Sequence, residues 1–145
     1  MRSEQDLAEL SRLVREGVGR LNWRLRATRE RGGPSPLELA VLRRLHRAGT
    51  HTPKALADAE QIHPQSLTRV LAALDREALI TRRPDPDDGR QVLVEISTRG
   101  LRTLRTYSEQ RERWLATAMA DNLSETEQDL LGLAAKLMMR IADSE

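Results

Sequence analysis

Three prolines, each directly behind a side chain able to cap a helix, punctuate the middle of the chain: Ser35-Pro36, Thr52-Pro53 and His63-Pro64. Proline has a fixed φ and no amide hydrogen, so it suits the first turn of a helix and breaks a helix interior. This stretch therefore cannot be one long helix and reads as three short ones. Ser35 and Glu38 complete a capping box at the first start, and Leu39, Leu42 and Leu45 supply its buried stripe before Gly49 ends it. Ala55-Leu56-Ala57 follow the second start. Leu67, Val70, Leu71 and Leu74 fall on one face of the third helix.

Beyond Leu79-Ile80 the period changes. Val92, Val94 and Ile96 alternate with Leu93, Glu95 and Ser97, a strand pattern. The intervening Arg83-Pro84-Asp85-Pro86-Asp87-Asp88-Gly89-Arg90 must turn, so 79–97 reads as a β-hairpin with a long tip. Longer helices flank this middle. Leu7, Leu10, Val14, Val18, Leu21 and Leu25 mark an amphipathic helix over 5–30, broken by Gly32-Gly33-Pro34. Gly100 precedes another, with Leu101, Leu104, Tyr107, Trp114, Leu115 and Met119. Ser124-Glu125-Thr126-Glu127 is a further capping box, opening a last helix with Leu130, Leu131, Ala134, Leu137, Met138 and Ile141.

Two short helices joined by a tight turn and followed by a hairpin make a helix-turn-helix with a wing, a mainly α (α+β) fold. At 145 residues the chain reads as a single domain, with a winged lobe over 35–97 and helical regions over 1–31 and 98–145. The apolar stripes of those end regions exceed what the compact middle can cover. They predict burial against a second copy of the chain, a homodimer.

Composition removes several function classes. Cysteine is absent, which excludes disulfides, cysteine-type zinc sites and thiol chemistry. The longest apolar runs are only a few residues and the start of the chain lacks a signal-peptide pattern, so a soluble, cytoplasmic protein without membrane contact is expected. His46, His51 and His63 do not have metal-ligand spacing, and no nucleophile elbow, phosphate loop or HExxH motif occurs. The expectation is a protein that is not an enzyme and that uses no metal or cofactor. A formal net charge of +2 is a weak pointer to nucleic acid. Distribution is more informative: 98–113 holds five arginines against two acids, whereas 114–145 holds two bases against six acids. An anionic partner should avoid the C-terminal end.

Thr52-Pro53-Lys54-Ala55-Leu56-Ala57, Leu67-Thr68-Arg69, Leu74-Asp75-Arg76-Glu77-Ala78-Leu79-Ile80, Arg82, Asp88-Gly89-Arg90 and Ile96-Ser97 ahead of Gly100 together resemble the MarR family of bacterial transcription regulators. The Asp-x-Arg of the wing is the most specific piece. The resemblance implies a homodimer that binds a palindromic site in double-stranded DNA, sequence-specifically, as a repressor. It implies DNA contacts from Thr52, Lys54 and His63, from the recognition-helix residues Gln65, Ser66, Thr68 and Arg69, and from Arg82, Arg83, Asp88 and Arg90 of the wing. Gln suits adenine and Arg suits guanine in the major groove, although a solvated helix face would look the same in isolation. Asp88 is expected to pair with an arginine and stiffen the tip, leaving Arg90 for the minor groove. A small aromatic or phenolic effector is implied between the dimer and DNA-binding regions, with Trp23, Arg43, His46 and Tyr107 as candidate contacts, each of which could equally pack as core or interface. The competing reading is a helical protein–protein interaction module without DNA binding.

The chain departs from the family pattern at three places. Ala78 stands where glycine is usual, and a left-handed residue there costs about 1 kcal/mol in alanine, which predicts a differently shaped helix end. His63 replaces the usual serine cap, and Glu60-Gln61-Ile62 lacks a small residue.

Overall fold

The computed structural model of the chain describes residues 1, 3–28 and 32–144. Its elements run α1 (Glu4–Ala27), α2 (Pro36–Ala48), α3 (Pro53–Glu60), α4 (Pro64–Arg76), β1 (Ile80–Pro84), β2 (Val92–Ile96), α5 (Thr98–Asn122) and α6 (Glu125–Ala142). This is the expected order, helical apart from one small antiparallel sheet.

The helix starts follow from local chemistry. Ser35 with Glu38, and Ser124 with Glu127, form reciprocal capping boxes. The Thr52 hydroxyl accepts from the Ala55 amide, and His63 Nδ1 accepts from the Gln65 amide at 3.3 Å. A further capping box, Ser3 with Asp6, opens α1, which ends at Ala27 with Thr28 as its cap. The helix expected over 5–30 is therefore shorter at its end, and residues 29–31 lie outside the described residues. Gly100 does not precede α5 but sits inside its first turn, because Ser97 is the cap.

The ends of α3 and α4 share one solution. After α4, the Leu79 amide reaches the Leu74 carbonyl at 2.9 Å and the Ala78 amide reaches Asp75 at 3.0 Å. After α3, the Ile62 amide reaches Ala57 at 2.9 Å and the Gln61 amide reaches Asp58 at 3.2 Å. Both are paired closures that require a left-handed residue, which Ala78 (φ 55°) and Gln61 (φ 51°) supply. The expectation of a reshaped end at Ala78 is thus corrected. The hydrogen bonds and the burial of Leu74 and Leu79 outweigh about 1 kcal/mol of backbone strain.

Leu39, Val41, Leu42 and Leu45 of α2, Leu56 and Ala57 of α3, and Leu67, Val70, Leu71 and Leu74 of α4 form the core with Leu79, Ile80, Val94 and Leu104. Of the three strand residues expected to face inward, Val94 is buried and Ile96 half-buried, while Val92 lies exposed toward the wing tip. Val94 pairs on both sides: with Arg82 of β1, and with His51, whose amide and carbonyl bond to it at 3.1 and 2.8 Å. β2 is therefore the inner strand, and β1 keeps an open outer edge. Among the described residues, none of α1 or α6 is buried.

One joint ties the winged lobe to α5. The Ser97 hydroxyl donates to the Ala78 carbonyl at 2.7 Å and accepts from the Gly100 amide at 2.9 Å, while the Ser97 amide donates to the Leu79 carbonyl. Gly100 is buried so tightly there that an added Cβ would lie 2.1 Å from the Leu79 carbonyl oxygen.

Two glycine exchanges should therefore act in opposite directions. Ala78→Gly should stabilise by about 1 kcal/mol, because it relieves left-handed strain and keeps both bonds. Gly100→Ala should destabilise by about 1–3 kcal/mol, because the carbonyl it meets is backbone. Denaturant midpoints of the two variants check both signs.

Candidate nucleic-acid interface

The core face of α4 is apolar, so its polar residues are placed outward by the helical period itself. Gln65, Ser66, Thr68 and Arg69 are all exposed. The Thr68 hydroxyl donates to the Pro64 carbonyl at 3.0 Å, which commits its proton and leaves its oxygen to accept and its methyl to make contact. His63 and Thr52 are engaged as caps, and Lys54 is exposed on the first turn of α3.

In the wing, the structure sorts the arginines. Arg82 pairs with Asp75 at the end of α4, which locks the first wing strand to the recognition helix. Arg83 Nε donates to Glu95 Oε1 at 2.6 Å, and the same oxygen accepts from the Thr50 hydroxyl at 3.2 Å. Glu95 thus joins both wing strands to the segment that caps α3. These two donors hold its carboxyl below the usual glutamate range, Arg83 contributing more. With a depressed folded value, the stabilisation is present above the ordinary glutamate range and is lost as pH falls through the lowered value. Among the described residues, Arg90 makes no ion pair and extends freely from the tip.

Asp88 does not take an arginine partner. Its Oδ1 accepts from the Arg90 backbone amide at 3.1 Å, its Oδ2 from the Gln91 side chain at 3.4 Å, and its carbonyl from the Gln91 amide at 2.9 Å. The expected Asp–Arg pair is corrected to an Asx turn, and the Asp85 carboxylate makes a second one with the Asp87 amide at 2.9 Å. Two tip acids are thereby committed to shaping the loop.

A cavity of about 490 Å³ opens between α2 and α5, lined by Arg43, His46 and Arg47 on one side and Leu101, Leu104, Arg105 and Ser108 on the other. Partial desolvation, then the charges of Arg111, Arg26 and Arg47, pull Arg43 below the usual arginine range, while Glu60 opposes the shift. Of the four residues expected around an effector, Arg43 and His46 meet here. Trp23 is 66% exposed on α1 and does not line the cavity. Tyr107 turns away to pack on the core, its hydroxyl in the space that a side chain at Gly33 would occupy. Arg47 and Arg105 were missed by sequence reading. Their helical positions facing α5 and α2 were the available signal.

Among the described residues, no three His, Asp or Glu side chains gather as a metal site, and no helix is long and apolar enough to cross a membrane.

The sequence model of the MarR family matches residues 35–92, which span the helix-turn-helix and most of the wing. An HTH-type transcriptional regulator of Mycobacterium bovis is 39% identical over 126 residues, covering 87% of each chain. The crystal structure of a Pseudomonas aeruginosa protein assigned as a transcriptional regulator superposes with a TM-score of 0.84 at 35% identity, over 99% of this chain and 100% of that one. A MepR mutant from S. aureus, bound to an oligodeoxyribonucleotide, shares the fold with a TM-score of 0.67 at 20% identity, over 92% of this chain and 98% of that one.

The Asx geometry makes a sharp forecast for the wing. Asp88→Asn keeps the acceptor and should leave duplex-DNA affinity at or above the starting level, whereas Asp88→Ala should lower it severalfold. Equal loss in both, by fluorescence anisotropy at fixed salt, would restore the charge pair.

Proposed function

The chain belongs to the MarR family of DNA-binding transcription regulators, and from that premise we propose that it acts as a homodimeric repressor of a palindromic operator, released by a small anionic effector. Members of this family regulate transcription and are not enzymes. The observation that carries the dimer is unspent apolar surface. α1 and α6 bury none of their described residues, yet Leu7 is 51% exposed, Val18 50%, Leu130 61% and Leu137 44%. Between them runs an open apolar groove of about 680 Å³, walled by residues such as Leu13, Leu21, Leu115, Met119, Leu131 and Met138. Burying an apolar side chain is worth about 1.5–3 kcal/mol, so a self-complementary face of this size favours pairing about a two-fold axis.

Such pairing supports the DNA reading. Two copies of α4 held at a fixed separation address half-sites about 10 bp apart, or a multiple of that. Gln65 and Arg69, one helical turn apart on the exposed face, are the base readers in this proposal. Thr52, Lys54, His63, Ser66 and Thr68 line the same approach. Arg90 reaches the flanking minor groove. Arg82 and Arg83 hold the wing's position through Asp75 and Glu95. The acidic surplus of 114–145 favours an orientation with the dimer end away from phosphate.

The cavity between α2 and α5 supports this choice of effector class. Its cationic rim of Arg43, His46, Arg47 and Arg105, over a floor of Leu101 and Leu104, suits a carboxylate or phenolate with an apolar body.

Selection of binding sites from random duplex DNA, paired with sedimentation, tests this function. The expected outcome is a two-fold symmetric site and a dimer at micromolar concentration. Gln65→Ala or Arg69→Ala should cost about 1–3 kcal/mol of specific binding and relax preference at individual base pairs, with little change on random DNA. Leu131→Glu with Leu137→Glu should abolish dimer and specific binding together. A monomer binding an asymmetric site at full affinity would overturn the proposal.

A further inference from the structure

Two ion pairs hold the wing from opposite faces. Arg82 lies directly across the sheet from the buried Val94, so its side chain leaves on the same face and meets Asp75 of α4. Arg83 and Glu95, each next in sequence to that pair, leave on the other face, where Arg83 Nε donates to Glu95 Oε1 at 2.6 Å. The same oxygen accepts from the Thr50 hydroxyl at 3.2 Å. Thr50 stands between Gly49, the cap of α2, and His51, whose backbone bonds to Val94. The backbone attachment of β2 to this segment is one bridging residue, so the side chains on either face of it set the tilt of the hairpin. With side-chain exposures of 49% and 36%, the Arg83–Glu95 pair is open to solvent and contributes little to stability. Its weight lies in where it keeps the guanidinium. An unpaired arginine on the wing of a DNA-binding protein meets phosphate on any sequence.

We infer that Glu95 is a specificity-determining residue of the wing: by holding Arg83 and Thr50 on one carboxylate oxygen, it withholds a cation from sequence-independent phosphate contact and fixes the tilt at which the hairpin presents Arg90. This rests on the reading of Arg90 as the residue that reaches the flanking minor groove. Specificity is the difference between affinity for the operator and affinity for every other duplex, and Glu95 acts on both. It lowers the second by occupying Arg83 and by adding a charge that phosphate repels. It raises the first by geometry. Arg82 holds the hairpin from its core face alone, and the Thr50–Glu95 contact supplies the opposing hold on the other. Thr81, not Arg83, lies directly opposite Glu95, so the ion pair crosses the two strands diagonally and resists sliding of one along the other. Simple electrostatics argues the reverse for the operator, since a carboxylate near phosphate should only weaken binding. The two accounts differ in sign.

The test uses the full-length chain with the selected operator and a scrambled duplex of equal length and composition, by fluorescence anisotropy over a salt series. Glu95→Ala should weaken operator binding by about threefold or more, yet tighten the scrambled duplex severalfold with a salt dependence steeper by about one phosphate contact. A merely structural role lowers both affinities, and a merely electrostatic one raises both. Either parallel change overturns the inference. In an Arg83→Ala background, Glu95→Ala should leave the scrambled duplex within about twofold, because the released cation is gone. In an Arg90→Ala background, the operator loss caused by Glu95→Ala should likewise shrink to within about twofold. An undiminished effect in either background overturns the corresponding half of the inference and leaves the minor-groove reading standing. Thr50→Val unties the carboxylate from the segment before α3 while Arg83 stays paired. It should weaken the operator alone, and it provides the test of tilt if Glu95→Ala does not fold. Operator affinity unchanged by Arg90→Ala itself overturns the minor-groove reading, and the inference with it.

Discussion

The Ser97 hydroxyl, donating to Ala78 and accepting from Gly100, is the contact on which the rest of the architecture depends. It closes the exposed carbonyl left by a left-handed residue at the end of α4, and it simultaneously begins α5. The direction in which the long helix leaves the winged lobe is therefore set by the end of the recognition helix itself. Gly100 lets the two backbones approach to a distance that no side chain permits. An assembly built on α5 inherits its geometry from this joint, in which the end of the winged lobe and the start of the long helix share their hydrogen bonds.

Around that joint, arginines have two distinct employments. Arg44, Arg82 and Arg83 are each bound to a carboxylate on another element, and each fixes an angle: α2 to α3, the wing to α4, and the wing strands to the α3 cap. Arg69 and Arg90 are exposed and make no ion pair among the described residues. Guanidinium suits both uses, since its planar fork satisfies carboxylates inside the protein and base edges or phosphates outside it. A composition with almost no lysine fits a protein in which basic groups act as geometry as much as charge.

The sequence made the helix starts legible because a cap followed by proline is a local chemical statement. Ser35, Thr52 and His63 were readable without any tertiary information, and so were the wing strands from their alternation. The pairing of His51 with Val94 was not, because a single residue in extended conformation has no period to detect. Nor was the left-handed state of Ala78, where propensity argued for another shape and long-range burial of Leu79 prevailed. Charge partners were the least legible part. The acids of the wing tip suggested a partner for an arginine at Asp88, but the Arg90 backbone amide and the Gln91 side chain take its carboxylate oxygens instead. Trp23 looked like a cavity residue by type. Its position on α1 faces elsewhere, which composition could not reveal.

The open edge of β1 has a further consequence. An unpaired strand edge offers a row of amides and carbonyls to any other extended chain, and emerging nascent chains are such a source. Here the exposed stretch is Thr81-Arg82-Arg83-Pro84, with the other edge of the sheet covered at His51. Proline withholds the donor that a docking strand would need, which blunts the edge as a template for pairing. The free edge of the hairpin is therefore a poorer template for a further strand than an uninterrupted run of amides would be.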